Sequence, residues 1–112
     1  NVKVVVDRNS NALYFSREPI PSPWKGWEHL PRYMQTGIIA FRREVLQKFN
    51  AISETPLEQF ESVDMNRVLE IGGDIRMVPT DAFTIGVDTP EELAEAQKHL
   101  LNDPNLSRYL QR

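Results

Sequence analysis

Asp88 is the residue of this chain best placed to do chemistry. It ends an apolar run, Phe83-Thr84-Ile85-Gly86-Val87, that predicts a buried strand, and it precedes Thr89-Pro90-Glu91-Glu92-Leu93. Thr89 is a favoured helix N-cap, Pro90 suits the first helical position, and Glu92 completes a capping box with Thr89. A strand, a sharp turn and a helix thus hold one carboxylate at the C-terminal edge of a strand, where open α/β sheets bind ligands. Mg²⁺ prefers hard oxygen ligands and often takes only one or two from protein. The chemistry on offer is a metal held against phosphates. The alternative is that Asp88 merely bonds backbone amides at the helix start.

Two further carboxylates stand out for where they fall. Thr55-Pro56-Leu57-Glu58 is a second capping box, opening a helix predicted to run to about Ile71 and to stop at Gly72-Gly73. Leu57, Phe60, Val68 and Ile71 share a stripe at helical spacing that should face the core. Glu61 and Asp64 lie on the same stripe, and burying an unpaired carboxylate costs several kcal/mol. Either this helix lines a polar ligand site, or the pair sits at a half-exposed boundary with Arg67 as partner to Asp64.

The elements that must position these residues are readable along the chain. Val2 to Asp7 and Ala12 to Ser16 flank the turn-rich Arg8-Asn9-Ser10-Asn11 and predict a β-hairpin. Arg17 to Arg32 carries four prolines (Pro19, Pro21, Pro23, Pro31), two tryptophans and Gly26, and predicts a long loop. Strand character returns at Gly37 to Phe41 and runs into a short helix over Arg43 to Phe49. Ile75 to Val78 and Phe83 to Val87 predict strands, and Pro90 to Leu101 a helix that Asp103-Pro104 breaks. A last turn or two of helix is predicted over Leu106 to Leu110. The fold class is α/β, a mixed sheet with a projecting hairpin and flanking helices.

Composition bounds the function. The 112 residues are read as one domain, 40% apolar and 26% charged, with a net charge of −3. Such a chain has no global attraction to nucleic acid or an anionic membrane. Trp24, Lys25, Trp27 and Arg32 interleave aromatic and basic residues, but no basic groove accompanies them. No apolar run approaches the ~20 residues of a membrane span. The absence of cysteine excludes disulfides and thiolate metal sites and fits a cytoplasmic protein. The chain opens without methionine, one residue before a core strand, which suggests a fragment or a truncated gene product. His29 and His99 are expected to be solvated. Trp24 and Trp27 are expected to cover the core or a subunit contact rather than to stack on a ring.

In order along nearly its whole length, the chain resembles the C-terminal half of the 3-deoxy-manno-octulosonate cytidylyltransferases, or CMP-Kdo synthetases. The resemblance rests on Val2-Lys3-Val4-Val5-Val6-Asp7, Ala12-Leu13-Tyr14-Phe15-Ser16-Arg17, Ile20-Pro21, Gly37-Ile38 through Phe41-Arg42, Leu57-Glu58 with Glu61 and Arg67, and Gly86-Val87-Asp88-Thr89-Pro90-Glu91. It implies a partial nucleotidyltransferase-like, Rossmann-like fold and a Mg²⁺-dependent transfer. The anomeric hydroxyl of an acid sugar attacks the α-phosphate of CTP and pyrophosphate leaves, in lipopolysaccharide precursor synthesis. Asp88 would be one of two metal aspartates, and Arg17 would lie near the sugar-acid end of the cleft, where a guanidinium suits a carboxylate. Its plainer reading is a surface arginine at a strand end. The resemblance also implies a homodimer or higher homo-oligomer.

The departures matter as much. The family's N-terminal half carries the nucleotide loop, the cytosine contacts and the other metal aspartate, and these residues hold no counterpart. Its sugar-contacting histidine and tyrosine fall at Gln35 and Ile39, and its Glu-Gln pair at Asp64 and Met65. The candidate sugar-binding residues are therefore Arg17, Gln35, Glu61 and Asp64, with Asp88 for the metal and no catalytic residue assigned. Two functions remain: the sugar-binding portion of a cytidylyltransferase that is inactive without its nucleotide-binding half, or a stand-alone oligomerisation module derived from that fold.

Overall fold

A computed structural model describes residues 1–26, 31–82 and 84–110. The chain divides into two compact units, Asn1–Pro79 and Thr80–Arg112.

The first unit is built on the expected hairpin. Strands β1 (Lys3–Val6) and β2 (Ala12–Ser16) are antiparallel, with Val4 opposite Phe15 and a bulge at Leu13 between the Val5–Tyr14 and Val6–Ala12 pairs. Asp7 shapes the turn: its Oδ1 accepts from the amides of Asn9 and Asn11, both at 2.8 Å. The Asn11 amide is the main reason its carboxyl lies below the usual range. A third strand, β3 (Tyr33–Met34), pairs with the other side of β1, giving the order β2-β1-β3. The proline-rich segment contributes one 3₁₀ turn, Pro23–Lys25.

Helices follow. Helix α1 (Arg43–Ala51) buries no residue fully, but its Phe49 ring lies 5.7 Å from that of Phe41. The single helix expected from Thr55 to Ile71 is two, α2 (Pro56–Glu61) and α3 (Met65–Glu70). The break falls at Ser62, which takes the left-handed conformation (φ 54°, ψ 44°) and lets Val63 turn into the core. This overturns the expected stripe. Val68 is buried, but Phe60 is 88% exposed, and Leu57 and Ile71 are also exposed. The glycine stop is as expected: Gly72 has φ +79°, and the Gly73 amide bonds the Val68 carbonyl at 2.9 Å.

The core is Val4, Ala12, Phe15, Val63, Met65 and Val68, where the hairpin meets α2 and α3. Asn66, fully buried, closes the outer edge of β2: its side-chain amide accepts from Phe15 N–H (3.2 Å) and donates to Phe15 C=O (3.0 Å). A side chain thus stands in for a neighbouring strand and satisfies an edge that would otherwise be open.

Three expected strands are not formed. Residues 37–41 make no strand, residues 75–78 make one bridge (Arg76 to Asn11), and residues 84–87 are unpaired, Phe83 lying outside the described residues. Composition favours extended backbone, but a strand needs a partner to complete its ladder: residues 75–78 reach the hairpin turn only through the Ala12 N–H to Ile75 carbonyl and Met77 N–H to Ser10 carbonyl bonds (both 2.8 Å), and the other two segments pair with no strand among the described residues.

In the second unit, α4 (Pro90–Leu101) and α5 (Leu106–Leu110) match expectation in their bounds. Neither buries a residue fully. Among the described residues no helix is long and apolar enough to cross a membrane.

Candidate functional site

The structure joins two of the candidate residues, Arg17 and Glu61. Tyr14 and Ser16 alternate along β2 and so share a face, and both donate to Glu61 Oε1, at 2.7 and 2.9 Å. Glu61 Oε2 accepts from the Arg17 N–H at 3.0 Å. The Arg17 guanidinium returns to the end of α2, Nε to the Glu61 carbonyl (3.0 Å) and Nη2 to the Ser62 carbonyl (2.9 Å). The Tyr14 hydroxyl, then the Arg17 amide, hold the Glu61 carboxyl below its usual range, and the same bond raises the Tyr14 phenol. Arg17 is exposed, and Lys3 Nζ donates to its carbonyl.

The partner of Arg67 is Glu58, not Asp64. Nε lies 2.6 Å from Oε2, the two side chains are only 13% and 9% exposed, and the guanidinium sits 4.2 Å from the centre of the Phe49 ring. This bond is the main reason Glu58 lies below the usual carboxylate range. Glu58 also reaches back to the Thr55 amide (3.3 Å), while the Thr55 hydroxyl is buried without a partner, so only half of that capping box is made with hydrogen-bond geometry.

Gln35 and Asp64 make no hydrogen bond to the Arg17–Glu61 pair. Gln35 follows β3, its amide bonded to the Val2 carbonyl at 2.9 Å. Asp64 is exposed at the start of α3 and lines an open acidic groove of about 560 Å³ with Glu54, Glu58 and Gln59. An open cleft of about 350 Å³ on the β3 side is lined by Lys3, Arg32, Tyr33 and Met34.

Asp88 belongs to the second unit and precedes the capped start of α4. The capping box is complete: Glu92 N–H donates to Thr89 Oγ1 (3.2 Å), and Glu92 Oε2 accepts from the Thr89 amide (3.0 Å). That same oxygen also takes the Asp88 amide at 2.9 Å, the largest cause holding the Glu92 carboxyl below its usual range. The amide-bonding role considered for Asp88 is therefore filled by Glu92. The Asp88 carboxylate is exposed and makes no hydrogen bond among the described residues. No group of three or more His, Cys, Asp or Glu that could hold a metal occurs among those residues.

Several participants escaped the sequence reading. Tyr14 and Ser16 carry a signal, the period-2 spacing on a strand that ends at Arg17. Asn66 carries none, since a buried asparagine in a helix looks like a surface one. Trp24 covers no core, being 89% exposed. His99 is about half exposed beside Glu95 (3.2 Å). Trp27 and His29 lie outside the described residues.

Residues 1–75 match the family described as Cytidylyltransferase. The chain is 47% identical over 100 residues to a 3-deoxy-manno-octulosonate cytidylyltransferase of Syntrophus aciditrophicus, covering 89% of this chain and 40% of the relative. It is 42% identical over 99 residues to that of Chlamydia caviae, covering 88% and 38%. A solved structure of a CMP:2-keto-3-deoxy-manno-octonic acid synthetase complexed with CTP superposes with a TM-score of 0.79 at 40% identity, covering 90% of this chain and 42% of that one. The chain thus spans about two-fifths of the length of these relatives.

Proposed function

The chain belongs to the cytidylyltransferase family, and from that premise we propose that it is the C-terminal portion of a CMP-sugar synthetase. The whole enzyme would transfer cytidylyl from CTP to an acid sugar of the 3-deoxy-manno-octulosonate kind, in lipopolysaccharide precursor synthesis. The observation that carries this reading is the likeness, along nearly the whole chain, to synthetases of that sugar.

Within it, each residue has a task. Arg17 presents the Nη1 end of its guanidinium to the sugar carboxylate, since its Nε side is committed to backbone carbonyls. Gln35 and Asp64 add hydrogen-bonding groups for sugar hydroxyls. Asp88 suits Mg²⁺ as a single hard oxygen donor, exposed and unengaged among the described residues, in keeping with an ion that takes few ligands from protein. When bound, Mg²⁺ supplies charge neutralisation at the phosphates. The remaining residues position groups, which is most of what a protein contributes to such a transfer.

The nucleotide-binding portion would come from further chain. The segments 37–41 and 84–87, apolar in composition and without a strand partner among the described residues, with Ile38 88% exposed, support a sheet completed by other residues. The exposed apolar side chains also favour a second reading, a non-catalytic module that associates with copies of itself. The family reading includes such a homodimer, and a cytoplasmic location.

Calorimetric titration with CMP-Kdo and with CTP, each with and without Mg²⁺, separates the two. Mg²⁺-dependent binding that Asp88→Ala abolishes is the expected result. Silence toward both ligands, with a stable oligomer in sedimentation, would favour the module.

A further inference from the structure

Arg17 is tied at four points: its N–H to Glu61 Oε2, its Nε to the Glu61 carbonyl, its Nη2 to the Ser62 carbonyl, and its own carbonyl to Lys3 Nζ. A planar guanidinium held along one side presents its remaining N–H groups in a fixed direction, the geometry that suits bidentate capture of a carboxylate. The carbonyls that hold it are open because α2 stops there, Ser62 having left helical geometry. What holds that helix end against β2 is the Glu61 side chain, through Tyr14, Ser16 and the Arg17 amide.

Resting on the reading of Arg17 as the ligand of a sugar carboxylate, we propose that Glu61 is a positioning residue. Its carboxylate docks the end of α2 on β2 and thereby fixes the direction in which Arg17 offers its free N–H groups. It does not itself touch substrate. Three donors already fill three of the roughly four lone-pair sites of a carboxylate, so a sugar hydroxyl arriving there would compete with bonds that hold the helix in place.

The two oxygens divide these donors, and that makes one substitution selective. In Glu61→Gln, the amide oxygen can keep Tyr14 and Ser16, while the amide nitrogen faces the Arg17 N–H and cannot accept from it. Proton exchange at the Arg17 N–H and Nε–H, read by NMR on the 112-residue chain, is expected to quicken about tenfold, the scale of one lost charge-assisted bond. The Phe15 amide, bonded to Asn66 Oδ1, should stay within about twofold of its original rate and so report an intact fold. Titrated 3-deoxy-manno-octulosonate should move the Arg17 Nε–H resonance in the unsubstituted chain, with about tenfold weaker affinity in Glu61→Gln.

Unchanged Arg17 exchange in the variant overturns the proposal. Parallel loss of protection at Phe15 also overturns it, since Glu61 would then be a general determinant of the fold. If Arg17 exchange responds as expected but the sugar moves no resonance in the unsubstituted chain, the ligand assigned to Arg17 is wrong while the coupling to Glu61 stands.

Discussion

The two units use their carboxylates in opposite ways. In residues 1–79, Asp7 closes a turn, Glu58 grips Arg67 and Glu61 gathers three donors, all beside a core of six buried apolar side chains. In residues 80–110, α4 and α5 bury nothing fully; Glu92 takes two amides, and the Asp88 carboxylate takes none among the described residues. The first unit satisfies these carboxylates internally and leaves the Thr55 hydroxyl as a buried group without a partner. The second is specified by local signals, a cap and a proline at the start of α4 and again at its stop, and leaves apolar side chains and the Asp88 carboxylate exposed.

If that contrast is right, the largest effects belong to the first unit. Glu58→Ala strands the Arg67 guanidinium in a largely buried setting and should cost about 3–5 kcal/mol in urea denaturation. Asn66→Ala leaves the Phe15 N–H and C=O without partners and should cost about 3 kcal/mol. Acid should act there too. Glu58 and Glu61 are held below their ordinary value of 4.5, so the stability they contribute is complete above that pH and lost as pH falls through their folded values. Glu61→Gln should flatten that acid limb of a stability–pH profile. Smaller effects belong to the second unit: Thr89→Ala should cost about 1 kcal/mol of α4 helicity, seen in amide exchange, and leave the first unit's urea midpoint unchanged. Leu100→Ser, at a half-exposed site, should stay within about 0.5 kcal/mol.

Local signals were legible in the sequence and long-range ones were not. Capping residues, Pro90, Gly72 and Asp103-Pro104 set the ends of α3, α4 and α5, because each acts within one turn of itself. The hairpin was legible for the same reason. Period alone merged α2 with α3, since nothing local in Ser62 announces a left-handed residue; the break goes with Arg17, forty-five residues earlier, taking the freed carbonyls. The strands expected at 37–41 and 83–87 have the right composition, but their described residues find no strand partner among the described residues. At the site, Arg17 and Glu61 were both singled out, but their bond joins positions 44 residues apart. Spacing offers Asp64 as one possible partner of Arg67, whereas the buried geometry selects Glu58.

The open carboxylate at Asp88 is the claim to test first. Mn²⁺ favours the same oxygen ligands as Mg²⁺ and broadens nearby NMR signals. Titrated into the 112-residue chain, it should broaden the amides of Asp88, Thr89 and Glu92 first, reversibly with excess Mg²⁺, and not in Asp88→Ala. Broadening centred instead on the Glu54–Asp64 groove, or persisting around residue 88 in the variant, would contradict the assignment.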